Sequence, residues 1–248
     1  MIVLEGKGLT KLYRKQNTTI EALRDVDFRL EKGEILGLAG ESGSGKSTLL
    51  KLIAGLEPPS AGSILLHGRE LRPDRTKEDY RMMQMIFQNA SASFHPRRTI
   101  LDSITETVHS LRGKAAKVDA AALSALVGLS PELMMRYPRQ LSGGQCQRFA
   151  IARAMSVSPD ILLCDEITSA LDVSSQAQIL NLLADICRKS HTSAVFVSHD
   201  LAVVRCLCSR VMIMRSGRLV EQGPTEQVIR EPEADYTRRL VGSVLQIT

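Results

Sequence analysis

The stretch Gly40-Glu41-Ser42-Gly43-Ser44-Gly45-Lys46-Ser47-Thr48 decides how this chain folds. It fits G-x-x-x-x-G-K-[ST], a pattern that arises by chance in a chain of this length on the order of once in a hundred cases. The flanks agree with it. Glu34-Ile35-Leu36-Gly37-Leu38-Ala39 reads as a buried strand running into the glycines, and Ser47-Thr48-Leu49-Leu50-Lys51-Leu52-Ile53-Ala54 as the helix leaving them. In such a unit the glycines let the backbone curl until successive N–H groups and the positive helix end converge on an anion. Lys46 then stands beside the β- and γ-phosphates as a mobile cation, and the Ser47 hydroxyl becomes a magnesium ligand.

Composition narrows the function classes. The 248 residues allow a substantial core, and one domain with an inserted lobe suits the motif order best. Aromatic residues make up 4% and Trp is absent, which argues against base-stacking platforms and hence against nucleic acid as a partner. The net charge of +5 is spread along the chain, as on a solvated surface. Met1-Ile2-Val3-Leu4-Glu5-Gly6 lacks the pattern of a signal peptide, and no run approaches the roughly 18 apolar residues of a spanning helix, so a soluble cytoplasmic chain is expected. The five cysteines show no paired C-x-x-C spacing, which speaks against a disulfide framework or a structural zinc site.

Around the loop the pattern is α/β. Ile2-Val3-Leu4 and residues 22–30 read as strands of an antiparallel layer beside the main sheet, and Ser63-Ile64-Leu65-Leu66-His67-Gly68 as another strand. From about residue 89 to 157 the signals are mostly helical, including the alanine-rich stretch 115–126, and predict an inserted helical subdomain. The core resumes with Ile161-Leu162-Leu163-Cys164-Asp165. A helix over about residues 174–189 follows, with Leu180, Leu183, Ala184 and Cys187 on one face. Ala194-Val195-Phe196-Val197-Ser198 then delivers His199 at a strand end, where open α/β sheets place ligands. A hairpin over residues 211–221 turns through Ser216-Gly217.

Leu141-Ser142-Gly143-Gly144-Gln145 opens a helix with small residues, and the exposed N–H groups of such an end make a second anion site. A loop for one side of a triphosphate and a helix end for the other point to a site shared between subunits.

Taken together, residues 40–48, Gln88, residues 141–145 and 161–166, Ser169-Ala170-Leu171-Asp172 and His199 resemble the ATPase subunit of ABC transporters along nearly the whole chain. The resemblance implies a P-loop NTPase (RecA-like) core over 1–88 and 158–248, with an antiparallel β subdomain, and a helical signature subdomain over 89–157. It implies ATP with Mg²⁺, the latter held by Ser47, Gln88 and Asp165, of which Asp165 suits the cation's taste for carboxylate and water oxygens. Glu166 orients and deprotonates the attacking water, and His199 contacts the γ-phosphate. Tyr13 stacks on adenine. Residues Gly40, Glu41, Ser42, Gly43, Ser44, Gly45, Lys46, Ser47 and Thr48 bind the phosphates, and Ser142, Gly143, Gly144 and Gln145 cap the nucleotide of a second, head-to-tail ATPase subunit, with Asp172 coupling the two sites. The plain alternatives are a strand-end turn aspartate at 165, a surface glutamate at 166, a structural histidine at 199 and a half-buried strand tyrosine at 13.

Residues 84–97 and 198–205, with Pro224-Thr225-Glu226 and Asp235-Tyr236-Thr237-Arg238, are similar to the oligopeptide, dipeptide and nickel importer branch. Asn89-Ala90 stands where that branch has Asp-Pro, and Ile167 where Pro follows the glutamate. The chain stops soon after Tyr236, without the cysteine-bearing tail of many peptide-importer subunits, which tilts the expectation toward nickel or metal-chelate import. The expected partners are two transmembrane permease subunits, a second ATPase subunit and an extracytoplasmic solute-binding protein, with this chain peripheral on the cytoplasmic face of the inner membrane. An ABC exporter, a soluble ABC protein of DNA repair or translation, and a P-loop kinase or GTPase are the competing readings; the last leaves residues 141–145 unexplained.

Overall fold

The computed structural model describes residues 1–15 and 18–245 and divides into two units, Met1–Asp74 with Ser193–Thr248, and Arg75–Thr192. The first unit begins with two long antiparallel strands, β1 (Ile2–Lys15) and β2 (Thr18–Glu31). Along β2, buried Val26, Phe28 and Leu30 alternate with exposed Asp27, Arg29 and Glu31, the period-2 pattern of a strand with one wet face. Both strands outrun their sequence signals. Ile2-Val3-Leu4 is the start of a 14-residue strand, because β1 pairs along both its edges and polar residues are held in extension by that pairing. After β3 (Ile35–Ala39) and the glycine loop, α1 (Lys46–Ala54) runs to Gly55, whose φ of 73° lets Leu56 N–H reach back to the Lys51 carbonyl and close the helix. With β4 (Ala61–Leu66) and β5 (Arg69–Glu70) the first sheet has the order β2-β1-β4-β5, the expected antiparallel layer.

The second unit carries α2 (Lys77–Met82), β6 (Met83–Ile86), α3 (Ile100–Arg112), α4 (Ala120–Leu126), α5 (Gly143–Met155), β7 (Ile161–Asp165) and α6 (Val173–Ser190). Thr76 with Asp79 and Thr99 with Asp102 close reciprocal capping boxes on α2 and α3. The alanine-rich stretch is only partly helical. Residues 115–119 lie outside α4, because Gly113, at φ 94°, ends α3 and the Asp119 carboxylate accepts the Ala122 N–H at 2.9 Å, which fixes the start of the next helix. Strands β6 and β7 run parallel, Met83 opposite Ile161 and Ile86 opposite Cys164. Helix α6 buries Ile179, Leu180, Leu183, Ile186 and Cys187, so the apolar face is wider than the sequence spacing shows and Ala184 lies at its margin.

The first unit resumes with β8 (Ser193–Val197), α7 (Leu201–Leu207), β9 (Arg210–Arg215), β10 (Arg218–Pro224), α8 (Thr225–Arg230) and α9 (Asp235–Leu245). Its second sheet takes the order β10-β9-β3-β8, with β3 parallel to both neighbours. Leu38 faces Val197, and Ala39 faces Ile213, so the carboxyl ends of three strands lie side by side. The β9–β10 turn uses Ser216 at φ 48° and Gly217 at φ 77°, two left-handed residues that suit the twist of a tight hairpin. Among the described residues no helix is long and apolar enough to cross a membrane.

Candidate functional site

The glycine loop leaves the carboxyl end of β3 and enters α1 with Gly45 as N-cap at φ 106°. Gly40 has φ 143°, and a Cβ there would lie 2.2 Å from the Met214 carbonyl oxygen, so only glycine fits. Gly43, at φ 76°, faces open space, so its demand is conformational alone. Lys46 is buried, 4% exposed, and donates through Nζ to the carbonyls of Gly40 at 2.7 Å and Glu41 at 2.8 Å and to Ser44 Oγ at 3.3 Å. A buried ammonium stays charged only with such acceptors around it. Ser42 is exposed, while Ser47 and Thr48 are half-buried in the first turn of α1.

His199 sits two residues past β8, exposed, in a segment where Ser198 N–H bonds the Leu38 carbonyl at 3.2 Å. Ser198 Oγ accepts the Asp200 N–H at 3.0 Å, and Asp200 caps α7 by accepting the Ala202 N–H at 2.8 Å. The register of β3 and β8 thus brings His199 and the start of the glycine loop to one edge of this sheet.

Tyr13, on β1, is half-buried. Its hydroxyl donates to Glu57 at 2.7 Å, and Lys11 Nζ, 3.2 Å from the same carboxylate, lies 5.2 Å from the ring centroid. Burial first, and then the Glu57 carboxylate, raise the Tyr13 phenol above its ordinary range. The Tyr13 hydrogen bond and the Lys11 ammonium hold Glu57 below the usual carboxylate range against desolvation.

In the second unit, β7 ends in Asp165 and is followed directly by Glu166, both half-buried. Glu166 has a left-handed φ of 46°, a conformation that costs a non-glycine residue about 1–3 kcal/mol and is concentrated at functional sites. Gln88, exposed just beyond β6, donates through Nε2 to Ser169 Oγ at 2.9 Å and lies 3.5 Å from Glu166 Oε2. Ser169 Oγ also donates to the Glu166 carbonyl at 3.0 Å. Gln88 and Glu166 are therefore brought together, and Ser169 is the tie between them that their separate sequence signals do not show.

Helix α5 begins in a full capping box. Ser142 Oγ accepts the Gln145 N–H at 3.2 Å, and Gln145 Oε1 accepts the Ser142 N–H at 3.0 Å. Those two side chains are thus committed to the helix start, while Gly143 and Gly144 contribute first-turn N–H groups. A Cβ on Gly143 would sit 3.7 Å from Leu171, and one on Gly144 3.5 Å from Ser175. Both are ordinary contacts, so among the described residues nothing requires glycine at either position. Asp172 caps α6, accepting the Ser175 N–H at 2.9 Å and hydroxyl at 2.7 Å, and these bonds depress its carboxyl.

Two supports of the glycine loop escape the sequence motifs. Gly217, in the β9–β10 turn, donates to the Ser44 carbonyl at 2.9 Å, while its own carbonyl accepts the Arg24 N–H at 2.8 Å. Tyr236, on α9, accepts the Glu41 N–H at 3.1 Å. Gly217 carries a turn signal only, and nothing in the Tyr236 segment announces a partner 195 residues earlier.

Residues 23–169 match the family model described as ABC transporter. The chain is 41% identical over 97% of its length to a di/tripeptide transport ATP-binding protein of Pseudomonas aeruginosa, covering 78% of that protein. It is 42% identical over 96% of its length to an oligopeptide transport ATP-binding protein of Haemophilus influenzae, covering 74% of it. Among solved structures, an ATP-binding cassette in a dimeric, post-hydrolysis state bound to ADP and Pi superimposes with a TM-score of 0.79 at 28% identity, over 90% of this chain and 98% of that one. The α/β fold matches that of the cassette.

Proposed function

The chain belongs to the ABC transporter family, and from that membership we propose that it binds and hydrolyses ATP to drive a membrane importer of small peptides. The observation that carries the mechanism is the start of α5, where Gly143 and Gly144 have no steric reason among the described residues. Glycine at a helix N-terminus lets an anion approach the backbone closely, and the anion here is the triphosphate held by the loop of a second copy or sister subunit.

In this reading Gly40, Glu41, Ser42, Gly43, Ser44, Gly45, Lys46, Ser47 and Thr48 enclose the phosphates, with Lys46 reaching phosphate oxygens from the position in which the loop carbonyls hold it. Tyr13 offers the flat ring for adenine, its hydroxyl anchored so that the plane is preset. Glu166 orients and deprotonates the attacking water, steadied by Gln88 and Ser169. His199 contacts the γ-phosphate, and Ser142, Gly143, Gly144 and Gln145 cap the partner's nucleotide. Asp172, besides capping α6, couples the two sites of the head-to-tail dimer. Ser47, Gln88 and Asp165 present hydroxyl, amide and carboxylate oxygens, the donor set Mg²⁺ takes, and the cation would offset phosphate charge. Residues 89–157 form the signature subdomain.

The partners proposed are two permease subunits, a second ATPase subunit and an extracytoplasmic solute-binding protein, with the chain peripheral on the cytoplasmic face. Peptides are the favoured cargo because both relatives named above are peptide-transport proteins; the tilt toward nickel finds no support in those names. Glu166→Gln tests the catalytic assignment. Turnover is expected to fall at least about a hundredfold while ATP binding persists and a dimer accumulates on gel filtration, and unchanged turnover would remove Glu166 from the mechanism.

A further inference from the structure

Helix α9 reaches the phosphate loop through one hydroxyl. Tyr236, 6% exposed, accepts the Glu41 N–H at 3.1 Å, and the carbonyl of that same peptide unit, Gly40 O, accepts Lys46 Nζ at 2.7 Å. One peptide plane of the loop is therefore gripped at both ends, by a tyrosine and by the phosphate-binding lysine. The plane is also backed by β9, whose Met214 carbonyl leaves no space for a side chain at Gly40. The next residue, Arg215, lays its guanidinium 4.9 Å from the centre of the Tyr236 ring. The approach to α9 is pinned as well, since the Glu221 carboxylate accepts the N–H groups of Glu233 at 3.0 Å and Ala234 at 3.1 Å.

We propose that Tyr236 is a positioning residue for the nucleotide, holding the 40–41 peptide so that the loop and Lys46 are preset before ATP arrives. The proposal rests on the reading of residues 40–48 as the ATP-binding loop. A loop already fixed in its binding shape gives up less conformational freedom on binding, which raises affinity without adding a contact to the ligand. Released from Tyr236, the 40–41 peptide can rotate, and the Gly40 carbonyl that holds Lys46 rotates with it.

Tyr236→Phe keeps the ring and the Arg215 contact and deletes only the hydroxyl. Calorimetric titration with MgATP is expected to show a dissociation constant raised about three- to tenfold, the worth of one neutral hydrogen bond, with KM raised and kcat at saturating ATP retained. The Glu41 amide should exchange faster with solvent while amides within α1 keep their protection, a local change that general destabilisation would not give. Val241→Ala, which trims a buried residue on the same helix and leaves the Tyr236 hydroxyl in place, should retain wild-type ATP affinity. The proposal is overturned if Tyr236→Phe binds ATP as the wild type does, if Glu41 exchange is unchanged, or if Val241→Ala weakens ATP equally. Failure of the wild type itself to bind MgATP would instead strike down the nucleotide reading beneath it, whatever the amide exchange shows.

Discussion

At the residue scale, the same side chain often serves the fold and the site together, and this governs what a substitution will report. Tyr13 is such a case. Replacement by Ala removes the ring proposed to stack on adenine and is expected to weaken ATP by about 1–3 kcal/mol, whereas Tyr13→Phe keeps the ring and loses only its anchor to Glu57; equal affinities for the Ala and Phe variants would end the stacking assignment. Glu57 adds a pH dependence. Its carboxyl is depressed in the folded chain, so the stability it contributes is complete above its ordinary value of 4.5 and is lost as pH falls through the lower folded value. Thermal melts of the wild type and Glu57→Gln should therefore differ near neutral pH and converge on acidification. The cysteines divide by burial. Cys187 is pushed up to about 12 and Cys146 is raised, both by desolvation, and Cys164 and Cys208 are buried. Because thiolate is the reactive form, iodoacetamide at about pH 8 should label exposed Cys206 alone in the native protein, as peptide mapping would show.

At the element scale, the start of α5 is where helix stability and function part company. Gly144→Ala introduces a Cβ that meets Ser175 at ordinary distance and a better helix former, so the chain should gain up to about 1 kcal/mol in chemical denaturation. Hydrolysis should nevertheless fall at least about tenfold if a partner's phosphate must approach that backbone. A variant as active as the wild type would place the phosphate elsewhere. Strands and the helix α6 were readable within a few residues because their periodicity is local. The span of β1 was not, since it owes its extension to pairing with β2 along its length and with β4 from Leu4 to Thr10. The 115–126 stretch misled for the opposite reason: alanine favours helix, but the Asp119 cap overrides propensity by bonding the Ala122 N–H.

At the scale of the whole molecule, the proposed site is complete only when two cassettes meet, so ATPase activity per chain should rise with chain concentration and plateau as dimers saturate. Specific activity that stays flat across a hundredfold dilution, about 2.7 kcal/mol of mass action, would mean one chain suffices. The sequence by itself determined the family, the glycine loop, the acidic pair at the end of β7 and the histidine at the end of β8, because each depends on residue identity at fixed short spacing. Only the tertiary structure decided what holds them: the left-handed backbone of Glu166, the Gln88–Ser169 tie, and the Gly217 and Tyr236 contacts to the loop. Those depend on chain segments far apart in sequence meeting through strand register and helix packing, and a single hydrogen bond across 195 residues leaves no periodic trace in the residues it joins.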